Sequence, residues 1–242
     1  MHEIEYLLIK GKSLKKNYKQ VAFTNFNEMI EQNGLTSLGT TTTIGWTIDP
    51  RRFAFLFSRY KFVSKMFSGY KKVLEIGCAD GFASVIVANE VSQMSCTDYD
   101  KLLVDEAKKR PEHKQLGTKF KVFDFVKKKY KTKQDGIYCL DVFEHIEQKN
   151  EDEFLKNIVK SLNKNGTLIV GIPSLESQKY ASKPSKEGHV NCKSGEDFKD
   201  LMQKYFHNVF LFSMNDEVVH TGYYPMSHYL IAVCCNKKNI SK

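Results

Sequence analysis

The chain reads Val73-Leu74-Glu75-Ile76-Gly77-Cys78-Ala79-Asp80-Gly81-Phe82 where an apolar run meets a turn of small residues and then a helical pattern. A strand, a tight turn and a helix in this order bring backbone amides and the positive end of a helix close to a ligand. Glu75 is unusual inside an apolar strand, because a buried carboxylate needs partners such as loop amides or a ligand's ammonium group. The stretch therefore predicts a turn of the nucleotide-binding type.

Apolar runs and helical patterns alternate on the C-terminal side of this turn. The predicted strands are residues 72–77, 93–98, 119–124, 136–140 and 167–172. The predicted helices are residues 82–89, 101–110 and 151–163, and Asn165-Gly166 is expected to close the last of them. Strands that alternate with helices over short links favour an α/β fold with a doubly wound, mainly parallel, Rossmann-like sheet.

The C-terminal part departs from this alternation. Ser194 and Asp197 form a capping box that begins another helix. Strands are predicted at residues 208–213 and 228–235 without an obvious helix between them, which indicates an antiparallel hairpin at the edge of a seven-stranded sheet. Residues 173–193 are predicted to form a loop that is too long for a simple connection.

The composition fits a folded domain with a positively charged surface. Lysine and arginine number 37 against 28 aspartates and glutamates, which gives a net charge of +9, but only four of the basic residues are arginines. Readers of nucleic acid usually exploit the guanidinium group. The charge is therefore interpreted first as a lysine-rich surface, with attraction of an anionic substrate as the alternative, and no specific nucleic-acid partner is predicted.

The sequence also bears on the compartment in which the protein works. No apolar run approaches the roughly 18 residues that cross a bilayer, and the N-terminus, MHEIEYLLIK, carries acids where a secretion signal needs positive charge. The six cysteines form no CxxC pair, which favours free, buried thiols over a zinc site or disulfides. We expect a cytoplasmic protein without a membrane partner. The oligomeric state stays open, and a homodimer is compatible with the sequence.

The turn resembles the first motif of the class I S-adenosylmethionine-dependent methyltransferases, E-x-G-x-G-x-G. Ala79 takes the place of the middle glycine. Phe82 stands where a dinucleotide-binding fingerprint needs its last glycine for close packing. Further motifs follow in the family's order, and the resemblance covers about residues 53–236. It implies a methyltransferase of the small-molecule type with S-adenosylmethionine as its cofactor.

The resemblance implies cofactor contacts at the ends of the predicted strands. Asp98 matches the acid that holds the ribose, and Tyr99 beside it could lie against the adenine. Asp124 matches the acid that accepts a hydrogen bond from the adenine amino group, and Phe125 would pack on the ring. The remaining implied contacts are Glu75, Gly77, Cys78, Ala79, Gly81, Leu140 and Arg59. Arg59 could hold the methionine carboxylate or simply pack at the surface, and the two aspartates could instead cap helices.

Residues 140–146 resemble the family's fourth motif in its L-x-x-x-E-H form. Methyl transfer to a hydroxyl group needs a general base of near-neutral pKa. The candidates are His145 and His189, with Asp141 and Glu144 as alternatives, and both histidines have a structural interpretation as well. Asp141 and Glu144 could hold Mg²⁺, but no spacing demands it, and no metal ligand is assigned.

Acceptor specificity is expected in the segments that are least alike within the family, residues 1–50, 173–193 and 214–227. We expect residues 1–50 to form an N-terminal helical extension that caps the acceptor and residues 51–242 to form the methyltransferase domain. The Pro-Pro-aromatic motif of methylases that act on base amines is absent. The polar loops suit O-methylation of a small polar acceptor, such as a sugar or sugar nucleotide of surface-polysaccharide biosynthesis.

Three other classes of function compete with this interpretation. A methyltransferase that acts on RNA or protein is compatible with the positive charge. A catalytically silent cofactor-binding domain is disfavoured by the presence of Glu75, Asp98 and Asp124. A nicotinamide oxidoreductase is disfavoured by Phe82.

Overall fold

The computed structural model describes residues 21–239 in two units, which divide between Leu38 and Gly39. The first unit contains helix α1, Val21–Asn33, among its described residues. The second unit contains every other helix and strand described below. The part of the expected N-terminal extension that covers residues 1–20 lies outside the described residues.

The second unit alternates strands with helices along most of its length. Its strands are β1 Lys72–Ile76, β2 Gln93–Asp98, β3 Lys119–Val122, β4 Gln134–Leu140, β5 Leu162–Pro173, β6 Phe206–Asn215, β7 Val218–His220 and β8 Tyr229–Lys237. Its α-helices are α2 Thr40–Ile48, α3 Arg52–Met66, α4 Ser84–Ala88, α5 Lys101–Ala107, α6 Pro111–Gln115, α7 Glu151–Ser161, α8 Lys183–Gly188 and α9 Gly195–Gln203. Short 3₁₀ helices are Phe143–His145, Gln148–Asn150, Glu176–Tyr180 and Tyr224–Met226. No helix among the described residues combines the length and apolar character needed to cross a membrane.

The described strands form one eight-stranded sheet in the order β3-β2-β1-β4-β5-β8-β6-β7. Strands β1 to β5 pair in parallel, and β8 pairs antiparallel with both β5 and β6. The predicted Rossmann-like α/β fold with an antiparallel end is therefore confirmed, and the short strand β7 is an addition that the pattern did not predict. Strand β2 lies on one side of β1, and β4 lies on the other side. The strand order therefore reverses at β1, and such a reversal opens a crevice at the carboxyl ends of the strands.

The core lies on both faces of the sheet because neighbouring residues of each strand point to opposite sides. Leu74 of β1 and Ile137 of β4 pack on one face, together with helices α7 and α9. Val73 and Tyr138 pack on the other face, together with α3 and α4. Two packed layers hold the carboxyl ends of the central strands in fixed positions.

Two local expectations are wrong. Helix α7 ends at Ser161, and Gly166 lies inside β5 without a positive φ angle. Gly166 is required here for lack of space and not for closing the helix, because a Cβ atom at this position would come within 2.9 Å of the Leu162 side chain. Residues 173–193 are not a plain loop, because they hold a 3₁₀ helix and α8, which Ser182 caps. The predicted cap of α9 is confirmed, since Ser194 Oγ accepts a hydrogen bond from the Asp197 N–H at 3.1 Å.

Candidate functional site

The glycine turn, residues 77–81, follows β1 directly. The N–H groups of Gly77 and Cys78 both donate to Thr97 O, at 2.7 and 3.0 Å, which ties the turn to β2. The Gly81 N–H donates to Cys78 O at 2.9 Å and closes the turn. A Cβ atom on Gly77 would lie 2.2 Å from Val142 Cγ2, so only glycine fits this crossing of two loops.

Asp98 ends β2 with its carboxylate beneath the turn. Its Oδ2 accepts from the Ala79 N–H at 3.0 Å, and its Oδ1 accepts from the Asp100 N–H at 2.9 Å. A carboxylate has about four acceptor positions, so about two stay free for a ligand's hydroxyl groups. Tyr99 beside it is 81% exposed and leaves a ring face available for stacking.

The predicted adenine contacts at the end of β3 differ in accessibility. Asp124 Oδ1 accepts from the Val126 N–H at 2.9 Å, and its Oδ2 lies 3.3 Å from Lys127 Nζ at the surface. Phe125 is 2% exposed and packs at 4.8 Å between ring centroids against Phe123. Its position favours a role in the core over contact with a ligand, and the same holds for Leu140, which is 5% exposed.

Glu75 is buried beneath the glycine turn and does not line the cavity of the site. Its Oε1 accepts from the Tyr60 hydroxyl at 2.7 Å, and its Oε2 has no hydrogen-bond partner among the described residues. Burial raises the pKa of Glu75, while nearby side chains, Ser84 foremost and then Tyr60, oppose that shift. The residue supports the turn from below.

Asp80 is a residue of the site that sequence reasoning did not assign. Its carboxylate accepts from Thr41 Oγ1 at 2.6 Å, from the Thr42 N–H at 2.7 Å and from Thr42 Oγ1 at 2.9 Å. These bonds hold the first turn of α2 against the glycine turn. Burial alone would raise the pKa of Asp80, but the hydrogen bonds from Thr41, Thr42 and Phe82 outweigh it and lower the pKa. Two features of the sequence could have indicated this contact, namely an acidic residue inside the glycine turn and a run of threonines where a helix begins.

Arg59 of α3 and Asp141, just after β4, form an ion pair. Arg59 Nη1 lies 2.9 Å from Oδ1 and 2.8 Å from Oδ2 of Asp141, and the guanidinium carbon lies 3.7 Å from the centre of the Tyr229 ring. Arg59 Nε is buried and has no hydrogen-bond partner among the described residues. Asp141 has a φ angle of +56°, which is strained for a residue with a side chain.

The ion pair lines a cavity of about 660 Å³. One wall holds Thr41 and Ala79, from α2 and the glycine turn. The segment of residues 173–193 also lines the cavity, with Gln178 and His189 among its residues. Such a volume falls within the range of about 300–1,000 Å³ that is typical of small-molecule sites. The structure therefore brings Arg59, Asp141 and His189 to one space, whereas Asp98, Tyr99 and Asp124 follow the neighbouring strand ends outside it.

Two histidine rings pack edge to face beside this cavity, with 5.2 Å between their centroids. His145 Nδ1 lies 2.8 Å from Gly188 O, and His189 Nδ1 lies 3.0 Å from Gln178 Oε1. Burial and the nearby His145 lower the pKa of His189, while Asp141 opposes the shift. Glu144, between Asp141 and His145, is 1% exposed, and burial followed by repulsion from Asp141 raises its pKa well above the ordinary range. The group can accept a proton or hold a cation.

Comparisons with known proteins identify the family and the fold of the chain. Residues 48–206 match the family model described as a methyltransferase domain. No curated protein sequence matches the chain. Among solved structures, the methyltransferase domain of bacterial CtHen1 shares 18% identity over 74% of this chain and 97% of that chain, with a TM-score of 0.58.

Two further structures resemble the chain. The N-methyltransferase NodS from Bradyrhizobium japonicum, in complex with S-adenosyl-L-homocysteine, is 17% identical over 86% of this chain and 97% of its own, with a TM-score of 0.56. A TehB-like S-adenosylmethionine-dependent methyltransferase from Corynebacterium glutamicum is 20% identical over 76% of this chain and 88% of its own, with a TM-score of 0.55. Because the sequence identities are 20% or less, the similarity to these three structures shows a common fold and nothing more.

Proposed function

Since this chain belongs to the class I S-adenosylmethionine-dependent methyltransferases, we propose that it methylates a hydroxyl group of a small polar acceptor, such as a sugar or sugar nucleotide of surface-polysaccharide biosynthesis. The cofactor, when bound, supplies an activated methyl group on a sulfonium. The protein's own task is to align the acceptor oxygen and to exclude water. The observation that carries the proposal is that Arg59, Asp141 and His189 line the same cavity.

The residues around the glycine turn fit S-adenosylmethionine. The free acceptor positions of the Asp98 carboxylate suit the two ribose hydroxyls, and Tyr99 and Asp124 suit the adenine. At the methionine end, the unpartnered Nε of Arg59 suits the carboxylate, and Asp141 suits the ammonium group. The ion pair of Arg59 and Asp141 thus offers a positive charge for the carboxylate and a negative charge for the ammonium group of the cofactor's methionine part.

The acceptor end of the cavity favours a polar molecule of modest size. Ser177, Gln178, Tyr180 and Ser185 line it and offer hydroxyl and amide groups for hydrogen bonds with several acceptor hydroxyls. Residues 1–50 contribute Thr41, Thr42 and Gly45 to the wall, which supports a capping role for the described end of that segment.

The histidine pair activates the acceptor. Both rings use Nδ1 in hydrogen bonds, which leaves each Nε2 open to act on a hydroxyl group. His189 lines the cavity, and His145 packs against it. This arrangement favours oxygen over nitrogen as the methylated atom, because a hydroxyl group must lose its proton and an uncharged amine need not do so before attack.

The test is a methyl-transfer screen with radiolabelled S-adenosylmethionine against fractionated metabolites, RNA and protein. We expect label in a small hydroxyl compound, and we expect His189→Ala and His145→Ala to lose most of the turnover while cofactor affinity stays unchanged. Label in RNA, with salt-dependent binding, or in protein would overturn the acceptor proposal. Tight cofactor binding without any labelled product would indicate a catalytically silent domain.

A further inference from the structure

Glu144, His145 and His189 form a cluster of three metal-ligating side chains, hereafter the Glu-His-His cluster. One ligand atom from each residue lies within 4.8 Å of the other two. An ion at the centre of three atoms 4.8 Å apart lies about 2.8 Å from each of them, which is about 0.7 Å longer than ligand bonds of about 2.0–2.2 Å. Side-chain movements of less than about 1 Å would therefore bring all three atoms to coordination distance.

The hydrogen bonds of the two rings occupy Nδ1 and leave Nε2 of each ring available to a metal ion. Gly188 O, a carbonyl oxygen, can only accept, so His145 Nδ1 carries the proton and Nε2 keeps its lone pair. His189 Nδ1 donates in the same way to the amide oxygen of Gln178. Metal-binding histidines almost always donate their other ring N–H to a carbonyl or carboxylate oxygen, which fixes the tautomer and the ring orientation. Both histidines already have that arrangement.

Glu144 supplies an independent observation. The side chain is 1% exposed, and its Oε2 has no hydrogen-bond partner among the described residues. A buried carboxylate oxygen without a partner is costly, and a cation at hydrogen-bonding range removes that cost. His145 is exposed, and His189 is half-buried and lines the cavity, so the cluster adjoins the cavity through His189.

We propose that the Glu-His-His cluster binds a divalent first-row transition-metal ion and leaves at least one coordination position open to the acceptor. Two imidazole nitrogens and one carboxylate oxygen favour Zn²⁺, Mn²⁺, Fe²⁺ or Co²⁺ over Mg²⁺, which prefers oxygen ligands only. Catalytic zinc sites of the His₂Glu type have the same donor set with an open fourth position.

The role of the ion rests on the proposed function. A hydroxyl oxygen of the acceptor binds at the open position, where the metal lowers the pKa of the hydroxyl as it does for bound water. The proton leaves to bulk water, the freed electron pair of the oxygen forms the O–CH₃ bond, and the pair of the broken S–CH₃ bond stays on sulfur. With the ion bound, the lone pairs of His145 and His189 are used for coordination, so the ion replaces the histidine pair as the group that activates the acceptor hydroxyl.

The test titrates chelator-treated protein with Co²⁺, followed by visible absorption, and with Zn²⁺, followed by calorimetry. We expect one equivalent of saturable binding, without the near-ultraviolet band of a cobalt thiolate. His145→Ala and Glu144→Gln should weaken binding more than tenfold, and Gln178→Leu, which removes the hydrogen bond to His189 Nδ1, about tenfold. His207→Ala, an exposed histidine on β6, is the matched control and should bind as the wild type does. Circular dichroism checks that each variant is folded.

Each outcome decides one question. If no saturable binding occurs, or if the cluster variants bind like His207→Ala, the metal proposal is wrong. If methylation of a hydroxyl acceptor continues unchanged in chelator, the metal proposal is wrong and the proposed function stands. If one ion binds but no hydroxyl compound is methylated, the metal site stands and the acceptor assignment is wrong.

Discussion

Gly77 and Asp141 both have backbone φ angles in the left-handed region, +78° and +56°. For a residue with a side chain this conformation costs about 1–2 kcal/mol. Asp141 adopts it while its carboxylate meets Arg59 and its N–H donates to Gly171 O at 3.1 Å. Strain that persists in this way is typical of residues whose position matters for a site, and both residues lie where we propose the methionine end of the cofactor.

A comparison of Gly77→Ala with Gly69→Ala separates the cost of backbone strain from the cost of steric contact. At Gly77 the new Cβ would lie 2.2 Å from Val142 Cγ2, so the two loops must separate. Gly69 is a matched control, because its φ angle is +80° and a Cβ there would meet nothing within 4 Å. We expect Gly69→Ala to lose about 1–2 kcal/mol of unfolding free energy, and Gly77→Ala to lose more and to bind S-adenosylmethionine more weakly. Urea unfolding and calorimetry measure the two effects.

The double variant Gly77→Ala/Val142→Ala completes this comparison. It removes the Cγ2 atom that the new methyl group would meet, and it should recover part of the lost affinity. Equal stability and equal affinity of Gly77→Ala and Gly69→Ala would contradict a steric requirement at the turn.

At the scale of elements, two carboxylates hold the start of helix α2, and Asp80 accepts more of its hydrogen bonds than Glu106 does. Asp80 accepts from both Thr41 and Thr42 at the start of the helix, where an anion also favours the helix dipole. Gly39, just before the helix, is so close that a Cβ atom would lie 2.4 Å from Asp80 Cγ. Asp80 therefore contributes to holding the helix against the glycine turn, together with the bond from the Thr40 N–H to Glu106 Oε1 at 2.8 Å.

Acid should weaken this attachment. The pKa of Asp80 is lowered in the folded protein, so its contribution to stability is complete above the unfolded pKa of about 3.9 and is lost as the pH falls through the lower folded value. Asp80→Asn cannot titrate, and we expect it to cost about 1–3 kcal/mol at pH 7. The difference in unfolding free energy between wild type and Asp80→Asn should shrink below about pH 4. Urea unfolding from pH 7 to pH 3 measures it, with Asp200→Asn, exposed on α9, as the control.

The elements themselves were predictable to different degrees. The apolar runs of β1, β4 and β5 are buried on both faces, so composition alone indicates them. Strand β7 has three residues, and among the described strands it pairs with β6 alone, which leaves too short a pattern to detect. The bond between Thr42 and Asp80 joins residues 38 positions apart, and nothing in the local sequence of either one specifies the other.

At the scale of the whole molecule, the order of the strands assembles the site. Parallel pairing of β1 with β2 and of β1 with β4 puts Asp98, the glycine turn and Asp141 at one edge of the sheet, although they lie far apart in the chain. The motif spacing was enough to predict this edge. It was not enough to predict the Glu-His-His cluster, because His189 reaches it through residues 173–193, whose 3₁₀ helix and α8 have no strong pattern.

Cofactor binding should stabilise the unit of residues 39–242 as a whole, because the contacts that we propose reach β1, β2, β3 and α3. A ligand at 100 times its Kd stabilises the folded state by about 2.7 kcal/mol. For a domain of this size that raises Tm by about 5–10 °C. Scanning calorimetry with S-adenosylmethionine or S-adenosylhomocysteine should show this rise, and NADH at the same concentration should leave Tm unchanged, since Phe82 replaces the glycine that a dinucleotide site needs.

The variant Asp98→Ala ties this shift to the proposed ribose contact. Loss of the charge-assisted hydrogen bonds should weaken cofactor binding by about 1–3 kcal/mol, which reduces the rise in Tm at a fixed cofactor concentration. Asp105→Ala, at an exposed salt bridge with Lys101 on α5, should keep the full rise. A full rise in Asp98→Ala would remove this residue from the site, and an equal rise with NADH would contradict the preference of the pocket for an adenosyl sulfonium.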